Sequence, residues 1–150
     1  MVQCYVPWLI VQMEDAKLAR LAAEAFSALT GLDLTSADLQ RESPEGLEIG
    51  PNDDPNDSLV AMDQDEGLPW PDSAKVDAWW KANGAGFTPG CRYFMGEPPD
   101  REKCLQVLKT GRQRQRRAAA EHATLLDPEA QLFNVFAPGW RQQRMLAARS

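Results

Sequence analysis

The stretch PDREKCLQVLKTGRQRQRRAAAEHATLLD, residues 99–127, decides the organisation of the C-terminal part of the chain. It is typical of two helices that meet at Gly111, the first capped by Asp100 and the second closed by Asp127 and Pro128. The turn is surrounded by five basic residues: Lys109, Arg112, Arg114, Arg116 and Arg117. We predict a basic helical hairpin whose cations form mainly internal ion pairs.

Upstream lies a stretch of opposite charge, residues 42–72, which carries ten carboxylates. Its prolines, aspartates and asparagines favour turns and irregular structure over helix. A loop of this length in a small domain is usually functional or partly disordered. Scattered apolar residues, among them Leu68 and Trp70, indicate that it is pinned to the body at intervals. We predict a long acidic loop over residues 42–71.

Two interpretations of this acidic loop remain open and can both hold. It leans on the Arg112–Arg117 cluster of its own chain, or it presents a negative surface to a basic partner. The five tryptophans are expected in the core or at its rim, and Trp70, in the turn LPWPD, is the one that we consider as an exposed anchor for a partner. The predicted partner-binding residues are Glu48, Asp53, Asp54, Asp57, Asp63, Asp65, Glu66 and Trp70.

The N-terminal residues 3–34 predict a pair of antiparallel helices. Residues 3–13 are apolar almost all round, as in a buried helix, and residues 16–31 place apolar side chains at a spacing of three to four before Gly31. Gly31 stands where a C-terminal cap belongs. Alanine-rich faces let two such helices approach closely, as in helical-repeat proteins.

The remaining segments also predict helices. A short one is expected near residues 36–41, another over 73–83 between Asp72 and Gly84, and a last one from Pro138 onward. Val76, Trp79 and Trp80 would form the buried face of the helix over 73–83. The fold prediction is therefore mostly α: one compact helical domain over 1–150, with a helix pair (3–34), an acidic loop (42–71) and a helical subdomain (72–150).

Composition restricts the partners and the chemistry. The net charge of −6 and the pI of about 4.8 disfavour direct nucleic-acid or membrane binding by the whole surface. No apolar run is long enough for a membrane span and no signal-peptide pattern is present, so we expect a cytoplasmic protein whose three cysteines stay reduced. His122 is the only histidine, and we expect it to be a helix-face or core residue. We predict no metal, no cofactor and no enzymatic activity; catalysis by His122 with Glu121 is the minor alternative.

Several motifs together resemble one known family. They are VPWLIVQMED (6–15), LARLAAEAFSALTGLDL (18–34), GPNDDPND (50–57), LPWPD (68–72), LKTGRQRQRRAAA (108–120) and FNVFAPGWRQQR (133–144). The chain is similar over nearly its whole length to the C-terminal part of a proteobacterial family that has HEAT-like helical repeats and is found beside type VI secretion genes. Family members are usually longer, with several repeats ahead of the segment that matches residues 3–34. The resemblance supplies no catalytic residues.

The resemblance implies a function through the genes beside which the family is found. A small acidic protein encoded next to a secreted effector is most often its immunity protein, so the expected partner is the cognate effector toxin, and a nuclease suits an acidic inhibitor best. The alternative is an adaptor or chaperone that helps to load an effector onto the secretion apparatus. An adaptor would bind the transport domain and leave the toxicity intact.

Overall fold

The computed structural model describes residues 2–47, 50, 56, 58 and 61–148. Over these residues the chain forms six α-helices and one two-stranded antiparallel sheet, which confirms the mostly α prediction. The elements, in chain order, are α1 (Val2–Gln12), α2 (Ala19–Thr30), β1 (Gln40–Arg41), β2 (Trp70–Pro71), α3 (Ser73–Asn83), a 3₁₀ turn (Gly84–Gly86), α4 (Arg101–Thr110), α5 (Gln113–Leu126) and α6 (Gly139–Ala147).

The chain divides into two compact units, residues 1–96 and residues 97–150, here called the N-terminal and C-terminal units. Residues 72–150 were predicted to form one helical subdomain, whereas the structure places α3 in the N-terminal unit. The reason is the apolar face of α3: Val76 is fully buried in the core of that unit, and Trp79 and Trp80 pack against it.

The core of the N-terminal unit is centred on Phe26 of α2, which is fully buried. The rings of Trp79 and Trp80 meet the Phe26 ring edge-on, at centroid distances of 5.7 and 6.5 Å. Phe87 continues the aromatic cluster, 5.4 Å from Trp80 and 4.9 Å from Tyr93. Edge-to-face aromatic contacts add directional packing to the burial of apolar surface.

Two glycines allow the end of α2 to be covered closely. Gly31 caps the helix with φ +74°, and its N–H donates to the Ser27 carbonyl (2.8 Å), as predicted. Residues 95 and 96 lie directly over this end, since the Met95 N–H donates to the Ala28 carbonyl (2.7 Å). A Cβ at Gly31 would lie 2.6 Å from the Met95 oxygen, and one at Gly96 would lie 2.7 Å from the Thr30 oxygen. No larger residue fits either position without a shift of the backbone.

The expectation that α1 is buried all round is wrong. Val6, Leu9, Ile10 and Met13 form a buried stripe, but Trp8 on the opposite side is 58% exposed. Within the N-terminal unit, α1 packs on α2 and α3 with one face only. The expectation that Trp8 and Trp140 belong to the core or its rim is wrong as well, since Trp140 is 62% exposed.

The short helix expected near residues 36–41 is also absent. The structure has turns over 34–38, in which the Ser36 N–H donates to the Asp33 carboxylate (2.8 Å). Asp38 then adopts φ +54°, which a right-handed helix cannot accommodate. Gln40 and Arg41 instead pair with Pro71 and Trp70 of β2.

The C-terminal unit contains the predicted hairpin of α4 and α5, which meet at Gly111 and pack on one another. The Asp100 carboxylate accepts from the Lys103 N–H (2.7 Å), which confirms the predicted cap. The buried residues of this unit are Cys104, Val107, Leu108, Ala119, Ala120, Phe133 and Val135. Cys4, Cys91 and Cys104 are all free thiols.

Candidate partner-binding site

The acidic loop is closed at its base by the two short strands. β1 ends at Arg41 and β2 begins at Trp70, so the antiparallel pair brings both ends of the loop together. The Asp72 N–H also donates to the Leu39 carbonyl (2.8 Å). Closing a long loop costs chain entropy. The pairing of β1 with β2 offsets this cost independently of any contact within the loop.

A second fastening lies inside the loop, between Arg20 of α2 and Asp63. The two Arg20 Nη atoms donate to the two carboxylate oxygens of Asp63, at 2.7 and 2.9 Å. Arg20 Nη1 also donates to the Asp65 carbonyl (2.9 Å). Arg20 is only 9% exposed, and a parallel two-bond pair of this kind is among the strongest polar contacts in proteins.

Trp70 completes this cluster from the other side. The centre of the Arg20 guanidinium lies 4.8 Å from the centroid of the Trp70 ring, a cation–π distance. We call Arg20, Asp63 and Trp70 the loop latch, because one residue comes from α2, one from the loop and one from β2. The latch holds the returning limb of the loop, residues 61–69, against the helix pair.

The latch also perturbs the ionisation of Asp63. Hydrogen bonds from Arg20 hold the pKa of the Asp63 carboxyl below its ordinary value, although partial burial opposes this shift. The Asp65 N–H, which donates to Asp63 Oδ1 (3.0 Å), and the positive charge of Arg20 lower the pKa further. Asp63 therefore stays ionised in moderately acidic solution.

The predicted partner-binding residues divide into three groups. Glu48, Asp53, Asp54 and Asp57 lie outside the described residues. Asp63 and Trp70 belong to the loop latch, and the half-buried Asp65 contributes its carbonyl to it. Glu66 is exposed, as are Glu42 and Glu45 on the outgoing limb. A partner would therefore meet Asp63 and Trp70 only together with Arg20, whereas Glu66 stands open to direct contact.

Arg20 was not among the residues predicted to form the site. Its partner Asp63 is 43 residues away, so no local spacing connects the two. One signal was available: Arg20 is the only basic residue in α2, a helix otherwise rich in alanine and leucine. This signal is weak, because Glu24 lies four residues further along the same helix and offers a local partner, so only the fold selects Asp63.

Asp63 also bears on the interpretation in which the loop leans on the Arg112–Arg117 cluster. Its carboxylate pairs with Arg20 of α2, within its own unit.

In the C-terminal unit, Arg117 pairs with Glu121 (3.3 Å), in line with internal ion pairing. Arg116 instead donates to neutral oxygens: the Leu108 carbonyl (2.9 Å) and the side chains of Gln113 and Gln142. Gln142 and Gln113 both donate to the Val135 carbonyl, so Arg116 helps to join α5 and α6 to the segment between them.

His122 lies half-buried on α5, beside Glu121. Within the described residues, no three histidine, cysteine, aspartate or glutamate side chains converge as a metal site would require. None of the described helices combines the length and the apolar character needed to cross a bilayer.

Comparison with known proteins supplies no further guidance: no protein-family model, curated protein or solved structure matches this chain. The resemblance to the HEAT-like family beside type VI secretion genes therefore stays a prediction.

Proposed function

We propose that this chain is an immunity protein, which binds a cognate type VI effector toxin in the cytoplasm of the producing cell and blocks its active site. The observation that supports this most is the acidic loop, closed at its base by β1 and β2 and fastened by the Arg20–Asp63 pair. A loop held in place pays less conformational entropy on binding than a free chain of the same composition.

Electrostatics support a basic partner. Residues 1–96 contain 16 acidic and 6 basic side chains, a net charge of −10, whereas residues 97–150 carry a net charge of +4. The negative field is thus concentrated in the unit that bears the loop. A field of this sign attracts a basic cleft and speeds association with it, as expected if the toxin is a nuclease.

A toxicity rescue tests the proposal directly. The toxin domain of the effector encoded beside this gene is expressed in a susceptible host with and without this protein, and the two are tested for co-purification. Rescue with a stable complex supports immunity. Binding without rescue would favour the adaptor. If the protein neither rescues the host nor binds the toxin, both functions are contradicted.

Charge neutralisation then tests the role of the loop. We expect the triple variant Asp53→Asn, Asp54→Asn, Glu66→Gln to associate with the toxin roughly tenfold more slowly at low salt, and less salt-dependently. The matched control is Glu102→Gln, Asp127→Asn, Glu129→Gln, which removes three exposed carboxylates of the C-terminal unit. Stopped-flow association rates at two salt concentrations distinguish the variants; equal rates for both triples would contradict recognition by the loop.

A further inference from the structure

The helix pair α1–α2 has an uncovered apolar face. On α1, Tyr5, Trp8 and Val11 are between 56% and 60% exposed, and their spacing of three places them along one side of the helix. Leu18, which immediately precedes α2, and Leu21 on α2 are 40% and 49% exposed. We call these five side chains the outer face of the helix pair.

The outer face contains a groove of about 230 Å³. Its walls are Trp8, Leu18 and Leu21, and the small residues Ala22 and Ala25 line it together with Leu9; Gln12 is its one polar lining side chain. An indole therefore stands beside an apolar hollow on the same face. A face that carries both a protrusion and a hollow can be complementary to itself under two-fold symmetry.

The area of the outer face is sufficient for such pairing. Taking about 200 Å² for a fully exposed large side chain, the five residues leave roughly 500 Å² per copy open to water. Two copies would remove about 1,000 Å² between them, the size at which specific association begins. A patch of this extent is in the upper part of the range for the largest apolar patch of a typical monomer, and such patches often have a function.

We propose that the outer face is a homodimer interface, in which Trp8 of each copy packs into the groove of the other. Such an interface has a distinctive salt dependence. Because each N-terminal unit carries a net charge of −10, the two copies repel one another, and added salt should strengthen the dimer by screening this repulsion. Binding of a basic toxin to the acidic loop should respond to salt in the opposite way.

The test is sedimentation velocity of the full chain across micromolar to submillimolar concentrations. Cys4 is exposed on α1, so the experiment is run under reducing conditions to exclude a disulfide-linked dimer. We expect a species of twice the 16.7 kDa monomer mass, favoured by salt. The Trp8→Ala variant should weaken dimerisation roughly a hundredfold, because the symmetric interface contains Trp8 from both copies and loses both indoles.

The matched control is Trp140→Ala, which removes an equally exposed tryptophan from the C-terminal unit and should leave dimerisation unchanged. Circular dichroism of both variants verifies that the helices persist. A protein that stays monomeric at every concentration, or a dimer that Trp8→Ala does not weaken, would overturn the proposal. A monomer that binds the toxin through Trp8 would overturn it as well and would assign the outer face to a different partner.

Discussion

Asp63 and Glu66 lie three residues apart in the acidic loop, yet their carboxylates have different surroundings. Asp63 is held by two hydrogen bonds from the buried Arg20, whereas Glu66 is exposed. One carboxylate stabilises the loop, and the other is available to a partner. The same residue chemistry therefore serves two purposes, depending on whether a cation lies within hydrogen-bonding distance.

We predict that Asp63→Asn releases the returning limb of the loop. The substitution leaves the Arg20 guanidinium without a counter-charge in a site where it is only 9% exposed, a costly arrangement. Cleavage within residues 42–69 in limited proteolysis should become roughly tenfold faster, because the open loop is more populated. Glu66→Gln, which removes one exposed charge from the same limb, is the control and should be cleaved like the unmodified protein.

Acid should reproduce this opening. Because the folded-state pKa of Asp63 lies below its unfolded value, the pair stabilises the loop fully above the unfolded value of about 3.8. This contribution is lost as the pH falls through the lower folded-state value. NMR titration of the Asp63 carboxyl carbon measures that midpoint directly, and a midpoint at or above the ordinary value would contradict the latch.

At the scale of elements, α3 and α4 begin where a short polar side chain accepts from one of their first N–H groups. The Asp72 carboxylate accepts from the Lys75 N–H (3.1 Å), and Asp100 does the same for Lys103. These caps were predictable because they act over three residues. The start of α2 was not predictable in this way: the helix begins after Leu18, which provides no side-chain cap, and the nearby Asp15 carboxylate accepts from the Lys17 N–H.

We predict that Asp72→Ala destabilises the N-terminal unit by about 1 kcal/mol, the usual effect of losing an N-cap. The cap also adjoins β2, so part of the loss should appear at the base of the acidic loop. Urea unfolding followed by circular dichroism measures the change. Asp77→Ala, a substitution in the same helix, controls for the loss of a charge. It also removes the surface ion pair with Lys81 (2.5 Å), which contributes a few tenths of a kcal/mol at most. Equal destabilisation by the two variants would mean that the cap is not the cause.

At the scale of the molecule, each unit buries its own set of apolar side chains among the described residues. The core around Phe26 draws its residues from the N-terminal unit, and Leu108 belongs to the buried set of the C-terminal unit. The net charge is divided between the units in the same way: the N-terminal unit is negative, and the C-terminal unit carries a smaller positive charge.

We predict that Phe26→Ala costs about 3–5 kcal/mol and acts mainly on the N-terminal unit, because it leaves a cavity in that core. In native-state hydrogen exchange, amides of α1–α3 should lose protection while those of α4 and α5 keep most of theirs. Leu108→Ala is the reciprocal variant and should reverse this pattern. Equal loss of protection in both units from either substitution would show that they unfold as one.

Local chemistry determined most of the elements. The caps at Asp72 and Asp100, the glycine at the end of α2 and the α4–α5 hairpin at Gly111 depend on interactions over three to five residues, so the sequence alone predicts them. The turns at residues 45–46 and 64–67, within the described part of the acidic loop, follow from local turn-forming residues in the same way.

The tertiary structure alone decided which faces are covered and which charges are paired. Nothing within α1 distinguishes the buried Val6 from the exposed Trp8, because both are apolar and the difference lies in where α2 and α3 pack. Arg20 and Asp63 are joined across 43 residues, a distance over which composition predicts attraction but no particular pair. Burial and ion pairing depend on neighbours that the fold brings together, and so the outer face and the loop latch became visible only in three dimensions.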